Sequence, residues 1–452
     1  MSDTGNIDKL YLIHEIEKRF HPQTWKIDDI EIWPLIRVSL GANLVKGVES
    51  PIKYKKRNQS FHNSEFQSAD ILFLTNDVLK RKINNKWFDS LITPIAIEAK
   101  KHNLRTLSLE YLNSNNGFFR EVPEFDYYFL ENFNDDVIDK VSIENLKWDT
   151  FEDFLLFIEQ NLPDIQKPSI EKTVAKYLKI KEISKKFENI LERCNPKIIM
   201  MVPSYNEYGF ALTLAAKRKS IPCVDIQHGF FSTEHFAYSK WINIPKNGYK
   251  LLPDYYWSWN EESKDIIENW GVSAHKSLIG GHPLYNYLTL NHQNEDKEYT
   301  ILYSIQPKPY FNKEEIIKLI KNSSSNYRWI IKLHPTMNLD KKELENYFGD
   351  KVIVECGNTN LLELLTVVDL HVTKHSSTAI EAASVGVATI FLDKNAIHMF
   401  KELIDSNWAI YKEDYESFES ARQSLRKLSQ KTNKSLIQKK SIYIMLKEFN
   451  LL

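Results

Sequence analysis

A chain of 452 residues exceeds what one ordinary core supports and calls for two domains with additions. A hydrophobic share of 42%, a charged share of 26% and a formal net charge of -1 belong to a soluble globular protein and exclude a global attraction to nucleic acid. No run of about eighteen uncharged apolar residues occurs, and the first residues, MSDTGNIDKL, lack the layout of an export signal, so a cytoplasmic protein is expected.

Residues 1–65 carry helical patches over 10–20 and 33–44, then the basic stretch KYKKRNQS, and read as an added helical segment with a linker. Residues 66–275 alternate strand-like and helical runs: ILFLT, LRTLSLEY, DYYFL, KIIMMVP, PCVDIQ and DYYWSW, the last strand expected of this half. A helical insert over 150–193 interrupts them, and YGFALTLAAKRK reads as a helix between two of the strands. GVSAHKSLIGGHP reads as a turn. Residues 276–400 restart the alternation with YTILYSIQ, RWIIKL, KVIVE, VDLHVT and ATIFLD. Residues 401–452 read as helices packing back. From Arg422 onward Arg426, Lys427, Lys431, Lys434, Lys439, Lys440 and Lys447 face a single acid, Glu448, a basic character suited to peripheral contact with an anionic inner membrane. Cys194, Cys223 and Cys356 are too few and too scattered for a disulfide framework or a zinc spacing, and are expected to be buried thiols.

The segment from Val368 to Asp393 is a strand, a Ser/Ser/Thr turn, a short helix and a further strand. Ser376, Ser377 and Thr378 fall where a helix begins, so hydroxyls and unpaired backbone N–H groups are expected to converge on a phosphate. His334 and Pro335 end the strand RWIIKL, at the carboxyl end where open parallel sheets hold their ligands. Gln306 follows the strand YTILYSI, and Glu381 lies one turn into the helix of the serine cluster. In the first half, VDIQHGF closes a strand with Gln227, His228 and Gly229, the glycine allowing close approach to the backbone. The loop PSYNEYG after KIIMMVP offers Ser204, Asn206 and Glu207. His228 and Glu207 compete for the role of general base; a His228 cation could instead stabilise a departing phosphate.

These motifs in this order resemble GT-B bacterial capsule and lipopolysaccharide transferases, namely the Kdo transferases and the sialyl- and polysialyltransferases, and more distantly the teichoic-acid glycerophosphotransferases. The resemblance covers about residues 195–395. It implies an α/β fold of two Rossmann-like domains facing across a cleft, with Gly280-Gly281 at the hinge. It also implies a CMP-linked acidic sugar, Kdo or a nonulosonic acid, as donor and a surface glycan or glycolipid as acceptor. Donor-binding residues would be His334, Pro335, Ser376, Ser377, Thr378, Gln306 and Glu381, the last on ribose; Ser204, Asn206, Gln227 and Gly229 would line the acceptor side.

No GxxxxGK[ST], GxGxxG after a strand, GxSxG or HExxH occurs, which weighs against P-loop kinases, dehydrogenases, α/β-hydrolases and zincins. No Asp-x-Asp ends an apolar strand, so neither a metal nor another cofactor is expected, and leaving-group charge would fall on fixed dipoles. A nucleotide-sugar 2-epimerase acting on UDP-GlcNAc and a non-catalytic glycan-assembly partner are the competing readings.

Overall fold

The computed structural model describes the chain apart from residues 1–8, 47–66, 84–85, 113–121, 123–125, 131–145, 147, 164, 230, 232–234, 288–298, 307–310, 325, 335–336, 338, 356–358, 406, 413–419 and 421–439. Pro335, Cys356, the stretch KYKKRNQS and most of the basic tail therefore lie outside the described residues. The chain forms two compact units. One comprises Met1–Lys80, Asp89–Pro283 and Lys440–Leu452, the other Arg81–Phe88 and Leu284–Lys439.

The first unit holds a seven-stranded sheet, numbered here β1 (Ile71–Asn76), β2 (Thr106–Tyr111), β3 (Asp126–Phe129), β4 (Ile198–Met201), β5 (Cys223–Ile226), β6 (Tyr255–Ser258) and β7 (Lys276–Ile279). The order is β7-β6-β5-β4-β1-β2-β3, and every pairing is parallel. Ile71 lies opposite both Thr106 and Ile198, so β1 is central and the order reverses between β1 and β4. All six residues of β1 are buried, as in a parallel sheet covered on both faces, where continuous apolar runs replace alternation. β7 corrects the reading of GVSAHKSLIGGHP as a turn: its short apolar pair, Leu278-Ile279, is flanked by turn residues, but Lys276–Ile279 pairs along the edge of β6.

The amino-terminal segment is part of this unit's core. Helices Lys9–Phe20 and Trp33–Lys46 share one apolar cluster with the sheet and with helices Phe151–Asn161 and Ile170–Cys194 of the insert. Trp25 sits 6.0 Å from Trp33 and 5.0 Å from Phe151, a tight aromatic knot between the two additions. Arg37, wholly buried, pairs with Glu17, lies over the Trp241 ring at 4.0 Å and donates to the carbonyls of Phe236 and Lys240 at 2.9 Å each. That clamp fixes the segment 236–241. Helix Ile442–Glu448 packs on helix Ile92–Lys101, and Phe449 lies against Tyr255 and Trp257.

The second unit holds a six-stranded parallel sheet: β8 (Tyr299–Ser304), β9 (Tyr327–Lys332), β10 (Val352–Glu355), β11 (Leu370–Thr373), β12 (Thr389–Phe391) and β13 (Ala409–Tyr411). The order is β10-β9-β8-β11-β12-β13; Ile301 lies opposite both Trp329 and Leu370, so direction reverses between β8 and β11. Its core is a separate cluster around Tyr303, Trp329, Ile331, Val354, Val372 and Ile390. Cys194 and Cys223 are buried thiols, the former pushed by burial up to about 11. Among the described residues no helix is long and apolar enough to cross a membrane. Of the basic tail, Lys440 pairs with Glu448 at 2.6 Å and Lys447 lies over the Tyr443 ring at 4.5 Å.

Candidate functional site

In each sheet some of the residues singled out above follow a strand of the reversal pair, the place where neighbouring loops leave in opposite directions and open a crevice, while Gln227, His228 and Gly229 follow β5 and His334 follows β9, one strand further out. In the first unit, Asn76 at the end of β1 donates to the carbonyl of Val202 and to the Tyr111 hydroxyl, both at 3.3 Å. Asn206 donates to the same hydroxyl and caps helix Glu207–Arg218, its side-chain oxygen accepting from Gly209 N–H at 2.8 Å. Asn206 thus braces the reversal point. Glu207 opens that helix and pairs with Lys179 at 2.6 Å, its side chain 39% exposed. Gln227 is committed to structure as well: its amide donates to Gly229 O at 2.9 Å and Ser263 Oγ at 3.1 Å, and its carbonyl accepts from Trp259 N–H at 2.7 Å. At Gly229 an added Cβ would meet nothing within 4 Å.

His228 and Ser204 belong to a polar and aromatic cluster at the ends of β4 and β5. The hydroxyls of Ser204 and Tyr238 donate to Asp225 Oδ2 at 2.7 and 2.9 Å, while Oδ1 is buried without a partner among the described residues. Burial pushes the Asp225 carboxyl up to about 7 against the pull of those two donors. His228 Nε2 meets the Tyr205 hydroxyl at 3.2 Å, and its Nδ1 is buried with no partner among the described residues. Burial pushes His228 down to about 4 and the neighbouring His235 down to about 3. Both imidazoles are neutral near pH 7, so the cationic, phosphate-stabilising form of His228 is disfavoured. Tyr205 and His235 pack against Tyr238 at 5.5 and 4.6 Å, and it is the Arg37 clamp on 236–241 that carries Tyr238 to Asp225.

In the second unit the loop after β11, Lys374 to Thr378, lies beside the end of β8. Gln306 accepts the backbone N–H of His375 at 3.0 Å, joining the two loops across the reversal point. His375 Nδ1 stands 3.5 Å from Asp393 Oδ2 beyond β12, and Lys374 pairs with Glu315 at 2.8 Å. The serine turn is built differently from the expected convergence of three hydroxyls. Ser377 precedes helix Thr378–Ser384 in a helical conformation and makes no side-chain cap; Ser376 Oγ accepts from Thr378 N–H at 3.3 Å. Thr378 turns its hydroxyl inward to Ser304 Oγ at 2.8 Å and to His371 Nε2 at 3.3 Å. His371, wholly buried in β11, also meets Ser304 Oγ at 2.8 Å through Nε2 and Thr389 Oγ1 at 3.0 Å through Nδ1. His334 lies two residues past the end of β9, the neighbour of β8, half-buried, with its carbonyl accepting from Met337 N–H at 2.9 Å. Glu381, half-buried, lies one turn into the helix. Among the described residues no group of three or more metal-ligating side chains gathers.

Asp225, Tyr205, Tyr238 and His235 in one unit, and Ser304, His371, His375 and Thr389 in the other, were not selected from sequence. A signal existed for two of them, since an aspartate inside PCVDIQ and a histidine inside VDLHVT interrupt otherwise apolar strands.

No family model matches the sequence, and no curated protein matches it. Solved structures do. The UDP-GlcNAc 2-epimerase of Neisseria meningitidis bound to UDP-GlcNAc superimposes with a TM-score of 0.52 at 14% identity, covering 84% of this chain and 99% of that one. The UDP-GlcNAc 2-epimerase of Methanocaldococcus jannaschii gives 0.51 at 13%, with 84% and 99% covered, and the S. aureus MnaA–UDP structure 0.51 at 11%, with 84% and 97%. At such identities the likeness is one of fold: a GT-B-type pair of parallel-sheet Rossmann-like domains.

Proposed function

We propose that this chain is a nucleotide-sugar-dependent glycosyltransferase whose second domain takes the nucleotide at the ends of β8 and β11. The observation that supports this most is the joining of two loops at that reversal point through Gln306 and His375, with Ser304, Ser376, Ser377 and Thr378 beside them. Polar donors at the carboxyl edge of a parallel sheet, where the strand order turns, suit a phosphate-bearing ligand. His334 from β9 and the two serines would bind phosphate oxygens, and Glu381 the ribose. In the first domain His228, neutral and beside an unhindered Gly229, is the proposed base for the acceptor hydroxyl.

In finer detail the donor is a CMP-linked acidic sugar, Kdo or a nonulosonic acid, and the acceptor a surface polysaccharide or lipopolysaccharide glycan. This follows the resemblance carried by Gln227-His228-Gly229, His334-Pro335 and Ser376-Ser377-Thr378. Transfer proceeds without a metal, and the basic tail gives peripheral contact with the inner membrane.

A thermal-shift panel of CMP, CDP, UMP, UDP and GDP tests the reading, since a ligand at about one hundred times its dissociation constant adds roughly 2.7 kcal/mol. CMP is expected to shift the transition most, and His334→Ala to remove the shift. A response to UDP alone moves the assignment to a UDP-GlcNAc 2-epimerase-like enzyme, the reading favoured by the fold likeness; conversion of UDP-GlcNAc without any acceptor then decides it. A chain that no nucleotide stabilises and that hydrolyses no donor is a non-catalytic partner.

A further inference from the structure

The polar chain crossing the second sheet has a direction, and counting hydrogens gives it. Thr389 is wholly buried, and among the described residues its hydroxyl meets only His371 Nδ1, at 3.0 Å. If Nδ1 carried the proton it would donate to the threonine oxygen, and the threonine hydrogen would be buried with no acceptor, which native interiors avoid. Thr389 therefore donates and Nδ1 accepts. Burial pushes His371 down to about 3, so the ring is neutral and holds its single proton on the other nitrogen. Nε2–H donates to Ser304 Oγ at 2.8 Å, with Thr378 Oγ1 a longer second acceptor at 3.3 Å. Ser304 O–H donates onward to Thr378 Oγ1 at 2.8 Å. Thr378, half-buried at the head of its helix, is left with its own hydrogen unspent inside the relay.

We propose that Thr389 and His371 are positioning residues that fix the polarity of this relay, so that Thr378 presents a hydroxyl hydrogen to an anionic oxygen of the class a nucleotide phosphate carries. The ligand rests on the nucleotide reading above; the direction of the relay rests on the hydrogen bonds alone. The opposite tautomer would turn the relay round, with Ser304 donating to His371 and Thr378 donating to Ser304, and leave Thr378 with no hydrogen to offer an anion.

The test uses the full chain labelled with 15N-histidine, His371 being assigned by its loss in His371→Asn, together with the dissociation constants of CMP, CDP, UMP, UDP and GDP. The wild-type ring is expected with Nε2 protonated and Nδ1 bare across the neutral range. Thr389→Val, which keeps the shape and removes the hydroxyl, is expected to mix or reverse the tautomers. It should also weaken nucleotide binding about tenfold, the scale of one hydrogen bond to a charged acceptor. Thr389→Ser is expected to retain both properties, which separates lost polarity from lost packing. A protonated Nδ1 in the wild type overturns the relay; wild-type affinity in Thr389→Val overturns the positioning role. If none of CMP, CDP, UMP, UDP and GDP binds the wild-type chain while the tautomer is as expected, the anionic ligand and the nucleotide reading fall together and the relay survives as structure only.

Discussion

His228 and Glu207 follow adjoining strands of the first sheet, yet different forces hold them. Glu207 is tied to Lys179 across two helices and is 39% exposed, a pair of the kind that contributes about 0–1 kcal/mol. His228 is a neutral ring on the Tyr205 hydroxyl. If the chain is the transferase proposed above, with His228 as base, Glu207→Gln is expected to leave sugar transfer within a few-fold of wild type, and His228→Ala to lower kcat/KM by about 10²–10⁴, the range for a lost general base. An equal loss from both would move the base to Glu207. The sign of the pH effect follows from burial. Burial lowers the His228 pKa to about 4 from an ordinary 6.5, so the neutral form persists as pH falls, and with His228 as the proposed base the acid limb of kcat/KM is expected near pH 4.

Glycines separate packing from ligand approach at the level of the β4 and β5 loops. At Gly209, on the first turn of helix Glu207–Arg218, a Cβ would lie 2.4 Å from Ser204 O and 2.6 Å from Pro203 O. Gly209→Ala is expected to cost about 1–3 kcal/mol in thermal or denaturant unfolding by pushing Ser204 off Asp225. Gly229→Ala meets open space and is expected to leave stability unchanged within about 0.5 kcal/mol while reducing turnover several-fold, since only a ligand would feel the added methyl. Strands at this scale were legible because buried parallel strands are continuous apolar runs, as ILFLT and RWIIKL show. That same feature hid Asp225 and His371. With both faces of a strand buried there is no alternation to say which way a polar side chain points, so neither could be matched to Ser204 and Tyr238 or to Ser304 and Thr389. Tyr238 comes from a loop that Arg37, about two hundred residues earlier, holds in place; sequence spacing carries nothing of that contact.

Across the whole molecule, buried imidazoles set the response to acid. His228 and His275 are pushed down to about 4, and His235, His282 and His371 to about 3, each by burial. A group whose folded pKa lies below its unfolded value of 6.5 binds protons in the unfolded chain first; its contribution is complete above that pH and is lost as pH falls toward 4 and below. Asp225, raised from 3.8 to about 7, acts oppositely, losing its contribution as pH rises through the same window. Among the described residues six lowered imidazoles, His375 included, oppose two raised carboxyls, Asp225 and Glu110, so unfolding free energy is expected to fall from pH 6.5 to pH 4. In Asp225→Asn that fall should steepen, because one of the two opposing groups is gone. Denaturant titrations at half-unit pH intervals measure both slopes.

The return of residues 440–452 to the first unit has a bearing on biosynthesis. Phe449 against Tyr255 and Trp257, and helix Ile442–Glu448 on helix Ile92–Lys101, complete a surface begun hundreds of residues earlier. On the ribosome the amino-terminal unit, usually first to mature, must wait with those aromatic side chains uncovered until residues 440–452 emerge, at about 5–20 residues per second. Nearly all of the second unit, by contrast, lies within one contiguous span and can settle while its elder neighbour is still unfinished.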